Sequence, residues 1–318
     1  MDISNTLQKL SQVIVLDDNR VSNNQSLYGT VPLLPLHTGF DSIVKLQRQL
    51  LAEGFKHTII ISDTVAEFEN WKGIKPEQRP LVISYYMHML KLLGLGSANI
   101  VLASSFQRKE YYWDLVFKLS EVITSRELLK ASPQDERSLE KQTLKEPFHI
   151  LFQIADIIAH NSSLVVGNVS QKRIYDVARK VLRKTGYQAP GELLVDLPKD
   201  ILGNDLNSSR SATRISYHET QETLQKKIFA IPNENKQLIF DLFINSVYTY
   251  VPQVLISGNR YSEKQFIEQW PTIQEIDFAV LKNDLVAALW KRFGSYSEYF
   301  ETNKKLIEWI DLDRVRGV

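Results

Sequence analysis

The sequence predicts an α/β fold: a Rossmann-like parallel sheet in residues 1–215, followed by an α-helical domain in residues 216–318. In the first two-thirds of the chain, short apolar β-branched runs alternate with stretches of helical periodicity, the pattern of successive βαβ units. After about residue 216 the strand pattern stops. With 318 residues, 43% of them hydrophobic, the chain can form a core in both domains.

Three short apolar runs predict buried parallel strands. Each is rich in β-branched or aliphatic residues and apolar on both faces, as expected for strands covered by helices on both sides. They lie at 58–63, 99–103 and 162–167. Because helical patterns separate them, right-handed crossovers should join them into one open sheet.

The predicted helices of the first domain lie at 81–93, 111–128, 147–160 and 171–185. The segment 132–145 is polar and lacks an apolar stripe, which predicts an exposed loop or a frayed helix. In the second domain five helical stretches are separated by proline or glycine, the usual punctuation of helices. They lie at 219–229, 233–247, 262–269, 277–293 and 295–310.

Composition excludes several functional classes. The 38 basic and 37 acidic residues give a net charge of +1, so any nucleic-acid contact should be local. The absence of cysteine excludes disulfides, thiolate catalysis and cysteine-ligated zinc. The N-terminus lacks a secretory pattern and no apolar run reaches the length of a membrane span. We therefore expect a cytoplasmic protein without membrane partners, metal or cofactor.

Short motifs follow one another in a fixed order along the chain. They are Gly29…Pro32…His37-Thr38-Gly39, Ile60–Ala66, Ser104-Ser105-Phe106-Gln107, Gln153–Asp156, Val166–Gln171 and Gly203–Arg210. This series resembles the tyrosyl- and tryptophanyl-tRNA synthetases, a class I subclass that activates amino acids with ATP. The resemblance implies a Rossmann-like catalytic domain, with His37 facing phosphate at a helix start.

The sequence departs from this family where phosphate is handled. Phe40 replaces the second histidine of the family's His-x-Gly-His motif, and Asp205 stands where the leading lysine of its Lys-Met-Ser-Lys-Ser loop would be. Ser208 occupies the position of the second lysine of that loop. In the family, the loop lysine and the paired histidines stabilise negative charge on the α-phosphate. Asp205 would instead repel the triphosphate. Arg210 or Arg214 could replace the lysine, because arginine also binds phosphate.

The resemblance also implies an amino-acid pocket. Gln153 and Gln171 would bind the α-amino group, with His149 where the family has a tyrosine and Asp156 at the pocket floor. Further lining residues implied are Leu27, Gly29, Ser62, Val65, Gln107 and His160. The alternatives stay open. Glutamines on a helix surface are often ordinary solvent-facing residues, and histidines on a helix face of mixed polarity often only fill space while hydrogen-bonded to the protein.

One helix carries a stripe of positive charge that could contact tRNA phosphates. The stripe includes Lys172, Arg173, Arg179 and Lys180. A solvated charged face is the alternative.

A kept amino-acid pocket combined with lost phosphate groups predicts an enzyme that receives its amino acid already activated, as aminoacyl-tRNA. Cyclodipeptide synthases are similar in this respect, and a fungal group making arginine-containing products is the closest analogue. Thr30 would then offer the acceptor hydroxyl and His149 the acid or base, with His37 as a third catalytic candidate. Asp156 would select a cationic side chain, best an arginine delivered as arginyl-tRNA, with a second amino acid unspecified.

Two alternatives remain at the level of sequence. The first is a tyrosyl- or tryptophanyl-type synthetase with an atypical ATP loop. The second is a non-catalytic protein that binds tRNA or an amino acid. A homodimer is the assembly left open by the resemblance.

Overall fold

The structure, a computed structural model, describes residues 5–11, 13–15, 23–33, 35–131, 143–205 and 213–304. The polar segment predicted at 132–145 falls largely outside these ranges. So do Ser208 and Arg210 of the predicted phosphate loop.

The chain divides into two compact units. One comprises the described parts of Met1–Leu33 and Leu46–Asp196; the other comprises those of Leu34–Lys45 and Leu197–Val318. These units divide after Asp196, and the second also takes a short N-terminal segment. The predicted boundary between residues 215 and 216 stays a prediction.

The first unit is built on a six-stranded sheet, which confirms the predicted Rossmann-like α/β class. Its strands are β1 (Val13–Val15), β2 (Gln25–Thr30), β3 (Lys56–Ile61), β4 (Asn99–Leu102), β5 (Leu164–Asn168) and β6 (Gly191–Val195). Their spatial order is β1-β6-β5-β2-β3-β4, and all neighbours are parallel except β1 and β6. The chain order therefore reverses between β2 and β5.

Three strands of this sheet, β1, β2 and β6, were not among the three apolar runs predicted from the sequence. In β6 every residue is buried, yet its leucines follow a proline and form no obvious β-branched run. The antiparallel β1 has only three residues, paired from Val13 with Leu194 to Val15 with Glu192. So short a run carries no periodicity to recognise.

Nine helices belong to the N-terminal part of the described chain. They are α1 (Asn5–Leu10), α2 (Asp41–Ala52), α3 (Asp63–Phe68), α4 (Arg79–Leu90), α5 (Ser104–Gln107), α6 (Glu110–Ser120), α7 (Ser125–Ala131), α8 (Lys145–Ala159) and α9 (Lys172–Lys184). The helix predicted at 111–128 is in fact α6 and α7. The break has a local cause: Thr124 Oγ1 accepts from Glu127 N at 3.2 Å, and Glu127 Oε2 accepts from Thr124 N at 3.0 Å. This reciprocal cap starts a new helix.

The second unit is mainly helical but also contains a hairpin. Its helices after residue 213 are α10 (Gln221–Phe229), α11 (Lys236–Leu242), α12 (Glu263–Ile273) and α13 (Phe278–Thr302), and its strands are β7 (Gln253–Ile256) and β8 (Asn259–Ser262). The expectation that strands end after residue 216 was wrong. Ser257 and Gly258 both have positive φ, which suits the tight turn of a two-residue hairpin.

Two of the predicted helix breaks in this unit, at Pro271 and Gly294, are wrong. Helix α12 continues through Pro271, and α13 runs through Gly294 as one helix of 25 residues. No helix within the described ranges is long and apolar enough to cross a membrane.

Candidate active site

The first unit contains a cavity of about 180 Å³ at the carboxyl ends of β2 and β5. Gly29 lies at the end of β2, Ser62 follows β3, and Gly167 and Asn168 end β5; all four line the cavity. In open α/β sheets, ligands bind outside the carboxyl ends of the strands where the strand order reverses. The fold therefore places the cavity where a substrate is expected.

Asp156, on α8, is the charged group of this cavity. Gln107 Nε2 donates to its Oδ1 at 2.8 Å, and Tyr112 Oη donates to the same oxygen at 2.6 Å. Burial raises the pKa of Asp156 from 3.8 to about 7, and the hydrogen bonds from Tyr112 and Gln107 act in the opposite direction. Both protein donors thus occupy Oδ1, and Oδ2 is the oxygen left to a ligand.

The donors to Asp156 are themselves held in place. Gln107 Oε1 accepts from the hydroxyl of Thr64 on α3, which fixes which end of the amide faces Asp156. Tyr112, on α6, is fully buried and also lies 3.0 Å from the Phe152 carbonyl oxygen. The carboxylate is thereby oriented by two neutral side chains from two other helices.

A second polar group on α8 lines the same cavity. His149, Gln153 and Asp156 lie at positions i, i+4 and i+7, so they share one helix face. Gln153 Nε2 lies 2.9 Å from His149 Nε2. Gln153 Oε1 is buried and has no hydrogen-bond partner among the described residues. Such an acceptor is costly to leave unpaired, so it favours a ligand that donates a hydrogen bond.

Apolar side chains separate these polar groups. His149 and Asp156 are seven residues apart, which is about 10 Å along the helix axis, and Phe152 lies between them on the same wall. Other apolar lining residues are Leu27, Val31, Ile60, Val65, Ile157, Val165 and Val166. The cavity suits a small molecule that is polar at two places and apolar between them.

Eight of the predicted site residues line this single cavity. They are Leu27, Gly29, Ser62, Val65, His149, Gln153, Asp156 and Gln171. Their individual roles stay predictions. Sequence reasoning missed Tyr28, Phe152, Asn168 and Tyr175, which also line it. Tyr28 and Asn168 are neighbours of motif residues and could have been included; Phe152 and Tyr175 look like ordinary apolar positions of amphipathic helices.

Of the catalytic and substrate-binding residues predicted in the first unit, three lie outside the cavity wall. Gln107 does not line the cavity but donates a hydrogen bond to Asp156, which does. The His160 ring packs edge-on against Phe106, with centroids 4.7 Å apart, so it fills the core. Thr30 is buried at the end of β2 and hydrogen-bonds to Tyr28. Neither His160 nor Thr30 lines the cavity, and the roles predicted for them stay predictions.

The His37 turn, defined as residues His37–Phe40, belongs to the second unit. His37 Nδ1 accepts from Gly39 N at 3.0 Å, and Thr38 N donates to the Ile215 carbonyl at 2.9 Å. Phe40 packs edge-on against the His37 ring, with centroids 4.8 Å apart. Burial, reinforced by the nearby Arg214 charge, lowers the pKa of His37 to about 3. His37 is therefore a neutral imidazole at physiological pH.

Asp205, the residue at the lysine position, is not an isolated acid. Its Oδ1 lies 2.5 Å from Lys199 Nζ, and the two residues also form an isolated β-bridge. Both side chains are about half exposed, so the pair is worth little to stability. The pairing nevertheless offsets the negative charge that was expected to repel a triphosphate.

Three of the four basic residues predicted to bind tRNA form ion pairs within the first unit. Lys172 pairs with Asp176, and Lys180 with Glu127, both at the surface. Arg179 pairs with Glu192, whose side chain is fully buried. Arg173 is exposed. The predicted tRNA contact stays a prediction, with Arg179 already engaged in the fold.

The described residues contain no group of three or more histidine, aspartate or glutamate side chains arranged to hold a metal ion.

The sheet order and the cavity define a class of protein: a Rossmann-like domain whose cavity at the switch point suits a small amphiphilic ligand. Comparison with known proteins gives the family. The profile of tRNA synthetases class I (W and Y) matches residues 23–276, and the chain belongs to this family.

Individual relatives agree with this assignment. The chain is 26% identical to the tyrosine–tRNA ligase of Methanospirillum hungatei over 283 residues, covering 86% of this chain and 90% of that protein. It is 29% identical to that of Methanoculleus marisnigri over 271 residues, covering 82% and 85%.

Solved structures show the same fold. The tyrosyl-tRNA synthetase of Archaeoglobus fulgidus complexed with L-tyrosine superimposes with a TM-score of 0.82, at 20% identity, covering 94% of this chain and 99% of that chain. The tryptophanyl-tRNA synthetase of Aeropyrum pernix superimposes with a TM-score of 0.69, at 16% identity, covering 90% and 80%.

These comparisons overturn the predicted cyclodipeptide synthase. The relatives are tyrosine–tRNA ligases along nearly their whole length, which supports the alternative of a synthetase. The prediction of arginine as substrate fails with it. Its premise was that a buried carboxylate needs a cation, yet Asp156 is held by two neutral donors and its raised pKa allows a neutral form.

Proposed function

We propose that the protein is a tyrosyl-type aminoacyl-tRNA ligase, which activates tyrosine with ATP and transfers it to tRNA. The observation that carries the proposal is Asp156, which lines the cavity with one oxygen saturated by neutral donors and the other left to a ligand. The names of the relatives support the same substrate.

The cavity matches the two polar ends of tyrosine. A phenol can donate to Asp156 Oδ2, a hydrogen bond strengthened when the carboxylate is ionised. The α-ammonium group can donate to Gln153 Oε1, which otherwise lacks a partner among the described residues. The ring would pack against the apolar wall, with a gain of about 2 kcal/mol for burial of a side chain of this size.

The second unit would contribute to the ATP step through the His37 turn. A neutral imidazole donates one hydrogen bond and adds no charge, so His37 can bind phosphate oxygen without needing a proton from solvent. The lysine missing at position 205 removes one cationic donor, which we expect to slow activation rather than abolish it, because Lys199 lies beside Asp205.

Pyrophosphate exchange tests the proposal. Purified protein is mixed with ATP, labelled pyrophosphate and, in separate reactions, tyrosine, tryptophan or arginine. Tyrosine-dependent exchange, followed by charging of tRNA with labelled tyrosine, is the expected result. Exchange with tryptophan alone would move the substrate to the other branch of the family, and absence of exchange with every amino acid would refute the ligase.

Asp156→Asn provides the matched variant. It keeps an oxygen that accepts from Gln107 and Tyr112 but loses the charge offered to the phenol. We expect its KM for tyrosine to rise by about tenfold or more, since hydrogen bonds to charged groups are worth about 1.5–3 kcal/mol.

A further inference from the structure

The second unit contains a buried acid that accepts four hydrogen bonds. Asp41, the first residue of α2, is fully buried. Arg292 donates to both of its oxygens, from Nη2 to Oδ1 at 2.7 Å and from Nη1 to Oδ2 at 2.8 Å. Tyr217 Oη and Tyr250 Oη donate to Oδ1 at 2.7 and 2.8 Å. So complete a shell around one carboxylate fixes its position tightly.

Arg292, on α13, is fixed as firmly as its partner. Its Nη1 also donates to the Ser246 carbonyl at 2.8 Å. The guanidinium carbon lies 3.7 Å from the ring centroid of Tyr250 and 4.7 Å from that of Tyr217. Stacking of this kind adds cation–π attraction to the fork-shaped ion pair. The cluster cannot shift by one member alone.

This cluster is continuous with the His37 turn. Asp41 follows Phe40 directly, so its carboxylate holds the end of the turn. Tyr217 N donates to the Leu36 carbonyl at 3.3 Å, just before the turn, while its hydroxyl binds Asp41 just after it. Tyr217 therefore hydrogen-bonds to the residues on both sides of the turn, Leu36 and Asp41, and Arg292 holds Asp41 in place.

We propose that Arg292, acting through Asp41, is a positioning residue for the His37 turn. The reaction affected rests on the proposed function: the turn would present the His37 imidazole to ATP. Arg292 and Asp41 are 251 residues apart in sequence, and neither composition nor motif connects them. Arg292 touches no reacting group itself.

Tyr250→Phe tests the inference mildly, because it removes one donor to Asp41 and keeps the ring that stacks on Arg292. Tyr248→Phe is the matched control: Tyr248 is two residues from Tyr250 in sequence, and its Oη donates at 3.1 Å to the Tyr261 carbonyl rather than to Asp41. Arg292→Lys is the stronger variant, since lysine keeps the charge but cannot form the fork.

Hydrogen–deuterium exchange of the Thr38, Gly39 and Phe40 amides gives a readout independent of activity. We expect exchange at the turn to be about tenfold faster in Tyr250→Phe and faster still in Arg292→Lys, and unchanged in Tyr248→Phe. In pyrophosphate exchange, the first two variants should raise KM for ATP severalfold and leave KM for tyrosine unchanged.

Unchanged amide exchange at the turn in both Tyr250→Phe and Arg292→Lys would overturn the inference. So would an equal acceleration in Tyr248→Phe, because the effect would then be general loosening of the unit. If the wild-type protein shows no pyrophosphate exchange, the proposed function fails, and amide exchange alone decides whether Arg292 positions the turn.

Discussion

At the scale of single residues, Asp156 shows how neighbours set the chemistry of a side chain. Burial opposes its ionisation more strongly than two neutral donors favour it, so its pKa is raised to about 7. The folded protein thus keeps a proton between about pH 4 and pH 7 that the unfolded chain has already lost. The free energy of unfolding should fall as pH rises through this window and level off above it.

Asp156→Asn tests this expectation, because asparagine accepts the same two hydrogen bonds and does not titrate. We predict that the variant gains stability relative to wild type as the pH is raised from about 5 to about 7, with little further change above. Urea unfolding at a series of pH values measures the difference. A difference that stays constant over the whole range would show that Asp156 titrates normally.

The residues of the site were predictable to different degrees. Gln153, Asp156 and Gln171 came from motif spacing, and the structure places them on one cavity. Tyr112 could not be found in this way, since its position depends on α6 packing against α8. Conversely, His160 continues the polar pattern of α8 but lies just past the end of that helix, where the chain turns away and the ring packs on Phe106.

At the scale of elements, sequence periodicity located most helices and the central strands but not every end. The missed hairpin carried a signal: Val254 and Ile256 are buried and Gln253 and Leu255 exposed, an alternation with period two. Its four-residue length and the preceding helix hid it. Helix α13 was divided at Gly294 because glycine usually marks a boundary, whereas here tertiary packing carries the helix through.

Gly294 provides the prediction at this scale. It is exposed in the middle of α13, and a Cβ added there would meet no atom within 4 Å. We predict that Gly294→Ala raises the free energy of unfolding by about 0.5–1 kcal/mol, because alanine loses less backbone entropy in a helix.

Gly258→Ala is its control in the same unit. The space around Gly258 is equally open, but its φ is +81°, a conformation that alanine adopts at a cost of about 1–2 kcal/mol. Chemical denaturation should therefore give opposite signs for the two substitutions. Destabilisation by Gly294→Ala would mean that α13 is kinked or broken at this point in solution.

At the scale of the whole molecule, the motif residues that match the family and those that depart from it lie in different units. The amino-acid cavity lies in the first unit, where motif residues are present and assembled. The altered residues Phe40 and Asp205 lie in the second unit, each with a local partner: Phe40 packs on His37, and Asp205 pairs with Lys199. Sequence comparison alone recorded these as losses, because the compensating contacts are visible only in three dimensions.

The near-neutral charge of the chain allows a specific prediction about how it binds tRNA. A net charge of +1 supplies no general attraction for tRNA, so the salt dependence of binding should report a few local cations. Lys172 and Arg173 begin α9 directly after the cavity residue Gln171, at the carboxyl edge of the sheet. Arg179 is unsuitable for the test, because removing it would leave the buried Glu192 without its partner, at a cost of about 3–5 kcal/mol.

We predict that Lys172→Gln with Arg173→Gln weakens tRNA binding and lowers the slope of log affinity against log salt by about 2, at about 0.9 per phosphate contact. The control pair, Lys56→Gln with Lys91→Gln, removes two exposed cations. Lys56 is the first residue of β3 and so lies at the amino ends of the parallel strands, away from α9's first turn. Its slope should match wild type, and folding of both variants should change by no more than about 0.5 kcal/mol. Equal slopes for the two variants would show that the basic face of α9 is only solvated, and that tRNA approaches the protein elsewhere.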